Sequence, residues 1–242
     1  MLAAAFWGFA GGAALLVGAI AGLALNVSQR TIGLVMAFGS GVLISALAFE
    51  LTEEAFRVGG TDAVALGLAA GAVTFFAGDW IVDRRGGADR KRSGGQQAGG
   101  SAAAIVLGAV LDGIPESVAV GITLLGGGGP SAAVVAAVFL SNVPESLSAA
   151  SGLRRAGHSP RWILGLWLGV ALVSALAAAV GYAAMDAVSA DMIGFVQAFA
   201  AGAILTMLAD TMMPEAFEHG GSVAGLVTVG GFALAFLLSA GG

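Results

Sequence analysis

The sequence contains no cysteine and very few charged residues. Of its 242 residues, only 10% are Asp, Glu, Lys or Arg, and two are histidine. The absence of cysteine excludes disulfide bonds, thiolate metal ligands and thiol catalysis. The scattered charges and a pI of about 4.8 give no indication of a nucleic-acid surface, and we expect no nucleic-acid partner.

The chain is instead dominated by apolar residues. Hydrophobic residues make up 58% of it, and its mean hydropathy is +0.94. Apolar stretches of about twenty residues, the length that crosses a bilayer, recur throughout. We therefore expect an all-α integral membrane protein, one polytopic domain over residues 1–242 in contact with membrane lipid. Eight transmembrane helices are predicted at about 3–25, 31–51, 62–82, 101–125, 130–151, 161–183, 191–213 and 221–240.

Glycine is abundant, with 40 residues. Small residues let membrane helices approach closely, so pairs of glycines four positions apart predict packing faces. Three such pairs are Gly8 with Gly12, Gly67 with Gly71, and Gly165 with Gly169.

The basic residues predict the orientation. All ten except Arg57 fall in connections on one side of the predicted spans. The positive-inside rule makes that side cytoplasmic, so both termini are expected outside the cytoplasm, in the cell membrane. Residues 84–100, rich in Gly, Ser and Gln, predict a flexible cytoplasmic loop. We interpret Arg90, Lys91 and Arg92 in this loop as a topology signal rather than as a lipid-binding site.

The second and seventh predicted spans resemble each other at a spacing of 161 residues. Ala37-Phe38 corresponds to Ala198-Phe199, and Glu54-Ala55-Phe56 corresponds to Glu215-Ala216-Phe217. The predicted topology makes these two spans antiparallel. The pattern predicts inverted repeats, with helices 1–3 and 6–8 arranged around helices 4–5, as in secondary transporters.

Two acidic segments with prolines lie in the fourth and fifth predicted spans: Asp112–Glu116 and Ser141–Glu145. An acid inside a membrane span is costly and indicates a functional site. Each proline also frees a backbone carbonyl one turn earlier. Oxygen ligands of this kind suit a divalent cation, although protonated or hydrogen-bonded acids are the alternative. The expected metal ligands near the midplane are Asp112, Glu116, Ser141, Asn142 and Glu145.

Other acids lie near the ends of spans. Glu50 is expected at the outer mouth of a pathway, and Asp210 and Glu215 at the inner mouth, with Asp210 the deeper of the two. Asp79 and Asp83 end the third span, and ion pairs with the arginines that follow them account for both.

These segments resemble the ZIP family of metal transporters, over essentially the whole chain. The shared features are eight spans, a cytoplasmic loop after the third, and Pro-Glu motifs in the fourth and fifth. Asp112 stands where that family usually has histidine, Gly113 where it has asparagine, and Ser141 at the polar position of the fifth span, while Glu116 and Glu145 match. The resemblance implies transport of a divalent metal ion as substrate, with no prosthetic group.

The expected function is transport of a divalent cation across the cytoplasmic membrane. The resemblance implies zinc, whereas oxygen ligands favour Mn²⁺ or another hard cation. The alternatives are a ZIP-like membrane protein that has lost transport, and a carrier similar to cation/calcium exchangers. An enzyme is not expected, because no nucleophile is arranged for catalysis. The sequence leaves a homodimer open.

Overall fold

The fold is entirely helical in the part of the chain that the structure, a computed structural model, describes: residues 1–126, 129–185 and 188–240. No β-strand occurs in those ranges, so the expected all-α class is confirmed. The α-helices are α1 (Leu2–Ala24), α2 (Gln29–Ala46), α3 (Glu53–Val82), α4 (Ala102–Ile122), α5 (Ala132–Arg155), α6 (Pro160–Met185), α7 (Ala190–Met207), α8 (Met213–Gly220) and α9 (Val223–Ala240).

The apolar helices are those of a membrane-embedded protein. Among the described residues, six helical stretches are long and apolar enough to cross a bilayer, and Val223–Ser239 is a shorter apolar helix. One of the six stretches, Gln29–Gly87, spans 59 residues. At a rise of about 1.5 Å per residue, a straight helix of that length would far exceed a hydrocarbon core of about 30 Å. The stretch is broken at Gly60, where φ is 73° and ψ is −173°.

The break at Gly60 has a counterpart at Gly221, which is 161 positions further along the chain. Gly221 also has a positive φ, 62°, with ψ at −153°. Only glycine adopts this combination of angles readily, because a Cβ would clash with the backbone. Gly60 separates α2 from most of α3, and Gly221 separates α8 from α9. The two breaks therefore have similar backbone angles at the spacing seen in the sequence.

The helices before these two breaks also correspond. A serine caps each of them: the Ser28 hydroxyl accepts from Thr31 N at the start of α2, and the Ser189 hydroxyl accepts from Met192 N at the start of α7. Both helices then continue into a wider π-helical turn, over Leu47–Thr52 after α2 and over Leu208–Met212 after α7. π-Turns of this kind are rare and often lie at functional sites.

Glycines bring the helices of these two segments into close contact. A Cβ at Gly202 of α7 would collide with the carbonyl oxygen of Leu68 in α3. In the pairing of α2 with α9, a Cβ at Gly41 would likewise collide with the Thr228 carbonyl. Each segment therefore packs the glycine face of its first helix against the last helix of the other segment.

Two of the three predicted glycine faces lie in close helix contacts. Gly8 and Gly12 of α1 pack against the backbone and small side chains of α6, and Gly67 and Gly71 of α3 pack against the backbone of α7. At Gly165 and Gly169 of α6, no atom among the described residues lies within 4 Å of the position a Cβ would take. The prediction that this third pair forms a packing face is therefore wrong for contacts among the described residues.

The helices α4 and α5 lie between these packed pairs. α4 contacts α6 and α7, whereas α5 contacts α1 and α2. Side chains that point inward from α4 and α5 are therefore covered on several sides, and this arrangement buries the acids of the two proline segments.

The glycine contact between α7 and α3 is testable by substitution. We expect Gly202→Ala to lower the free energy of unfolding of the detergent-solubilised protein by about 1–3 kcal/mol, because the new methyl group meets a backbone carbonyl that cannot rotate away. The melting temperature should fall accordingly. Gly165→Ala, on an open helix face, is the matched control and should leave the melting temperature unchanged or raise it. Equal melting temperatures for the two variants would contradict this account of the packing.

Candidate functional site

Two proline-containing helices carry the buried acids. Pro115 lies inside α4 and Pro144 inside α5, and both helices continue through their prolines. Asp112 and Glu116 of α4 and Glu145 of α5 are each at most 3% exposed. Carboxylates removed from water in this way need a positive charge or hydrogen-bond donors nearby.

Lys91 provides positive charge to both helices. Its Nζ lies 3.3 Å from Asp112 Oδ2 and 3.2 Å from Glu145 Oε1. The lysine side chain is itself buried, at 4% exposure. A cationic group of the protein therefore lies between the two acids for which the sequence predicts a metal ion.

Arg90 neutralises the same acid from another direction. Its Nε and Nη2 donate to the two oxygens of Asp112, at 2.9 Å each, and it also donates to Asp79 and Asp83. Burial lowers the pKa of Arg90, but the carboxylates of Asp112 and Asp79 raise it by more, so that its pKa lies above the ordinary value and the guanidinium stays charged. The expected pairing of Asp79 and Asp83 with the arginines that directly follow them is therefore wrong.

Part of the segment 84–100, for which the sequence predicts a flexible loop, packs against the helices. Arg90, Lys91, Ser93 and Gln97 are all buried. The Ser148 hydroxyl of α5 donates to the Lys91 carbonyl at 2.6 Å, which fixes the backbone at the lysine. The segment is held because its basic side chains are the counterions of buried acids, a role that its Gly/Ser/Gln-rich composition does not indicate.

Two glycines make room for this segment. A Cβ at Gly108 of α4 would collide with the side chain of Arg90, and a Cβ at Gly152 of α5 would collide with the carbonyl oxygen of Arg92 and crowd the Gln97 side chain. The groove that receives the segment is therefore formed by residues of α4 and α5, the same helices that carry the acids.

A second buried acid holds the same segment further along. Glu215 of α8 is fully buried, and its Oε1 accepts hydrogen bonds from Ser93 N at 2.9 Å and Ser93 Oγ at 2.6 Å. Its Oε2 lies 3.2 Å from Arg92 Nη1, and its Oε1 lies 3.2 Å from His219 Nε2. Arg92 also pairs with Glu218. Glu215, expected at the inner mouth, thus binds residues of the segment.

The other predicted ligands of the midplane site have different surroundings. Ser141 Oγ donates to the Val138 carbonyl of its own helix, and Asn142 Nδ2 donates to the Gly11 carbonyl of α1 at 3.1 Å. Glu116 lies one turn beyond Asp112, and its Oε1 has no hydrogen-bond partner among the described residues. The structure therefore groups Asp112, Glu145 and Lys91 directly, with Glu116 in the adjacent turn.

Glu50 lies at the opposite end of the molecule from Glu215. It accepts hydrogen bonds from Ser131 Oγ, at 2.8 Å, and from Ser239 Oγ. It also lines a cavity of about 480 Å³ together with Gln197. The placement of Glu50 at one mouth of a pathway stays a prediction.

Asp210 does not lie deeper in the protein than Glu215, contrary to the prediction from the sequence. Asp210 is exposed, whereas Glu215, in α8 just beyond the π-turn that contains Asp210, is fully buried. Glu215 is therefore the acid that is enclosed by the fold at this end.

The arrangement is a carboxylate cluster with basic counterions. Within the described ranges, no three His, Asp or Glu side chains form a group that could hold a metal ion as it stands. The sequence does not predict Arg90 and Lys91 as counterions of these acids. The excess of acids over bases in the neighbouring spans was the signal that could have identified them, since buried acids require a countercharge.

No protein-family model matches the chain, and no curated protein matches it.

The ion pair of Arg90 with Asp112 can be measured by a double-mutant cycle. We expect Arg90→Met to destabilise the protein by about 3–5 kcal/mol, because it leaves buried carboxylates without a partner. The cost should be smaller in an Asp112→Asn background, where one of those charges is already absent.

Thermal unfolding in detergent of the four proteins in the cycle gives the coupling energy. Arg85→Gln is the matched control, since Arg85 is exposed and its loss should change stability by no more than about 0.5 kcal/mol. The same cost for Arg90→Met in both backgrounds would contradict a direct pair.

Proposed function

We propose that this protein transports a divalent cation across a cell membrane, through the buried carboxylates of α4 and α5. The observation that carries the proposal is the Lys91 ammonium between Asp112 and Glu145. The Lys91 ammonium carries one positive charge, which alone cannot balance the two carboxylates of Asp112 and Glu145. A divalent cation at the same place would balance more of their negative charge, and Glu116 Oε1 would supply an additional oxygen ligand.

The proposed topology has eight transmembrane helices, α1 to α7 and α9, in two inverted repeats. Three correspondences at the 161-residue spacing support it: the serine caps of α2 and α7, the π-turns that follow these helices, and the breaks at Gly60 and Gly221. The end at which Arg92 meets Glu215 is cytoplasmic in this proposal, because the basic residues concentrate there. Both termini then lie outside.

The ligand chemistry favours a hard cation. The groups available from Asp112, Glu116 and Glu145 are all carboxylate oxygens, and no imidazole or thiolate lies among them. Oxygen ligands suit Mn²⁺, Mg²⁺ and Ca²⁺, whereas zinc binds best where nitrogen or sulfur contributes. We therefore propose Mn²⁺ as the first substrate to test and zinc as the comparison.

The two ends of the molecule suggest a pathway. A cavity of about 480 Å³ lies beside Glu50 at the proposed outer face, whereas residues of the segment 84–100 cover Glu215 at the other end. Open space at one end and a covered acid at the other support alternating access, in which a ligand shifts the balance between two states.

A protein that has lost transport is the second candidate. The observation that favours it is that Arg90 and Lys91 already neutralise Asp112, so a permanent ion network would need no metal. The two candidates differ in a direct measurement, because only a transporter moves cations into sealed vesicles.

Uptake of Mn²⁺ into proteoliposomes tests the proposal. We expect the wild-type protein to take up Mn²⁺, and the Glu116→Gln and Glu145→Gln variants to show only background uptake, because an amide cannot replace the negative charge that binds the ion. Asp62→Asn is the matched control, since it removes an exposed acid outside the site and should leave uptake normal.

Size-exclusion profiles and melting temperatures confirm that each variant is folded before its uptake is compared. Near-normal uptake by the variant with both substitutions, or no uptake of any divalent cation by the wild type, contradicts the proposed transport site.

A further inference from the structure

We infer that Lys91 is a built-in competitor of the transported cation, and that the cation binds only when the segment from Lys91 to Gln97 leaves its groove. The inference rests on the proposed function and adds a way in which the protein itself regulates cation binding. The lysine occupies the site in the closed state, and the segment that carries it blocks release toward the Glu215 end.

The competition follows from the shared contact atoms. Lys91 Nζ contacts Asp112 Oδ2 and Glu145 Oε1, and a cation bridging α4 and α5 would need oxygens of the same two carboxylates. An ammonium at 3.2–3.3 Å from both leaves no room for a metal ion, whose oxygen ligands lie about 2.0–2.6 Å away. The two occupants therefore exclude each other.

Lys91 is held in a way that permits exchange. Its Nζ makes no hydrogen bond of good geometry within the described part of the chain, so the ammonium acts as a point charge. Arg90 beside it, in contrast, donates two parallel hydrogen bonds to Asp112. A divalent cation carries twice the charge of the ammonium, and it can displace Lys91 more easily than it can displace Arg90.

Contacts at the Lys91 carbonyl and at the residues that follow it connect the lysine to the Glu215 end. Ser148 binds its carbonyl, and Ser93, two residues further, binds Glu215 through both its backbone and its hydroxyl. The groove at Gly152 holds the intervening backbone. The lysine therefore leaves the site together with the backbone around it, and its departure opens the Glu215 end.

A purely structural ion pair would give a different result. If Lys91 only stabilised the fold, its removal would lower stability without increasing cation affinity. If Lys91 competes, the observed association constant equals the intrinsic one multiplied by the fraction of molecules in which the lysine has left the site. Removing the ammonium then raises the observed affinity.

The first experiment measures Mn²⁺ binding to the full-length protein in detergent by titration calorimetry. We expect Lys91→Met to bind Mn²⁺ about tenfold or more tightly than wild type, and Lys91→Arg, which keeps the positive charge, to bind it no more tightly than wild type. Arg85→Gln, which removes an exposed charge of the same segment, should bind as wild type does. Unchanged or weaker binding by folded Lys91→Met overturns the inference.

The second experiment keeps Lys91 and immobilises its segment. The hydroxyls of Ser93 and Ser148 lie 2.6 Å and 3.4 Å from the same Glu215 Oε1. Because the chain has no native cysteine, Ser93→Cys with Ser148→Cys can be joined selectively by a short thiol-reactive cross-linker that a reductant cleaves. We expect Mn²⁺ uptake to stop in the cross-linked protein and to return on reduction, while each single-cysteine variant is unaffected by the reagent.

The outcomes separate the two proposals. Full uptake by the cross-linked protein shows that the segment need not move, which overturns this inference and leaves transport intact. Absence of both Mn²⁺ binding and uptake in the wild type and all variants contradicts the proposed function, and the inference fails with it.

Discussion

The cost of burying carboxylates in an apolar bundle governs this structure. Asp112, Glu116 and Glu145 lie on helices surrounded by other helices, where an ionised acid without a partner is strongly unfavourable. The protein meets this cost with Arg90 and Lys91, which come from a connection rather than from a neighbouring helix. The conformation of that connection follows from this requirement, because the basic groups must reach the acids and the backbone must fit beside α4 and α5.

The second determinant is the close approach of helices at glycines. Where membrane helices cannot gain by excluding water, contact between backbones gains dispersion energy, and small residues permit it. The pairs α3 with α7 and α2 with α9 use glycine in this way, and so does the groove that accepts the segment at Gly108 and Gly152. The same residue type therefore serves both to join the bundle and to admit a polar segment into it.

The sequence predicts the helices well, because apolar length is a local property. The ends of α2 and α7 and the correspondence of their surroundings could also be expected from the 161-residue spacing. Burial of Asp112, Glu116 and Glu145 was predictable, since their apolar neighbours leave them no access to water. The counterions were not, because pairing of Lys91 with Glu145 depends on tertiary contacts across 54 positions. Local composition predicts a flexible loop there. Sequence proximity likewise predicts ion pairs of Asp79 and Asp83 with the arginines that directly follow them, whereas the structure pairs both acids with Arg90.

The fit of the segment 84–100 has a consequence for protein engineering and for sequence change. Connections between membrane helices usually tolerate insertions and deletions, and they are common places for epitope tags. Here the number of residues between the end of α3 at Val82 and Arg90 sets which basic side chain reaches which acid. A deletion of one residue in that interval would place lysine where the two parallel hydrogen bonds of arginine are needed, and it would move Arg92 toward the space between Asp112 and Glu145. The length of this connection is therefore constrained as tightly as that of a helix, and a tag is better placed at a terminus.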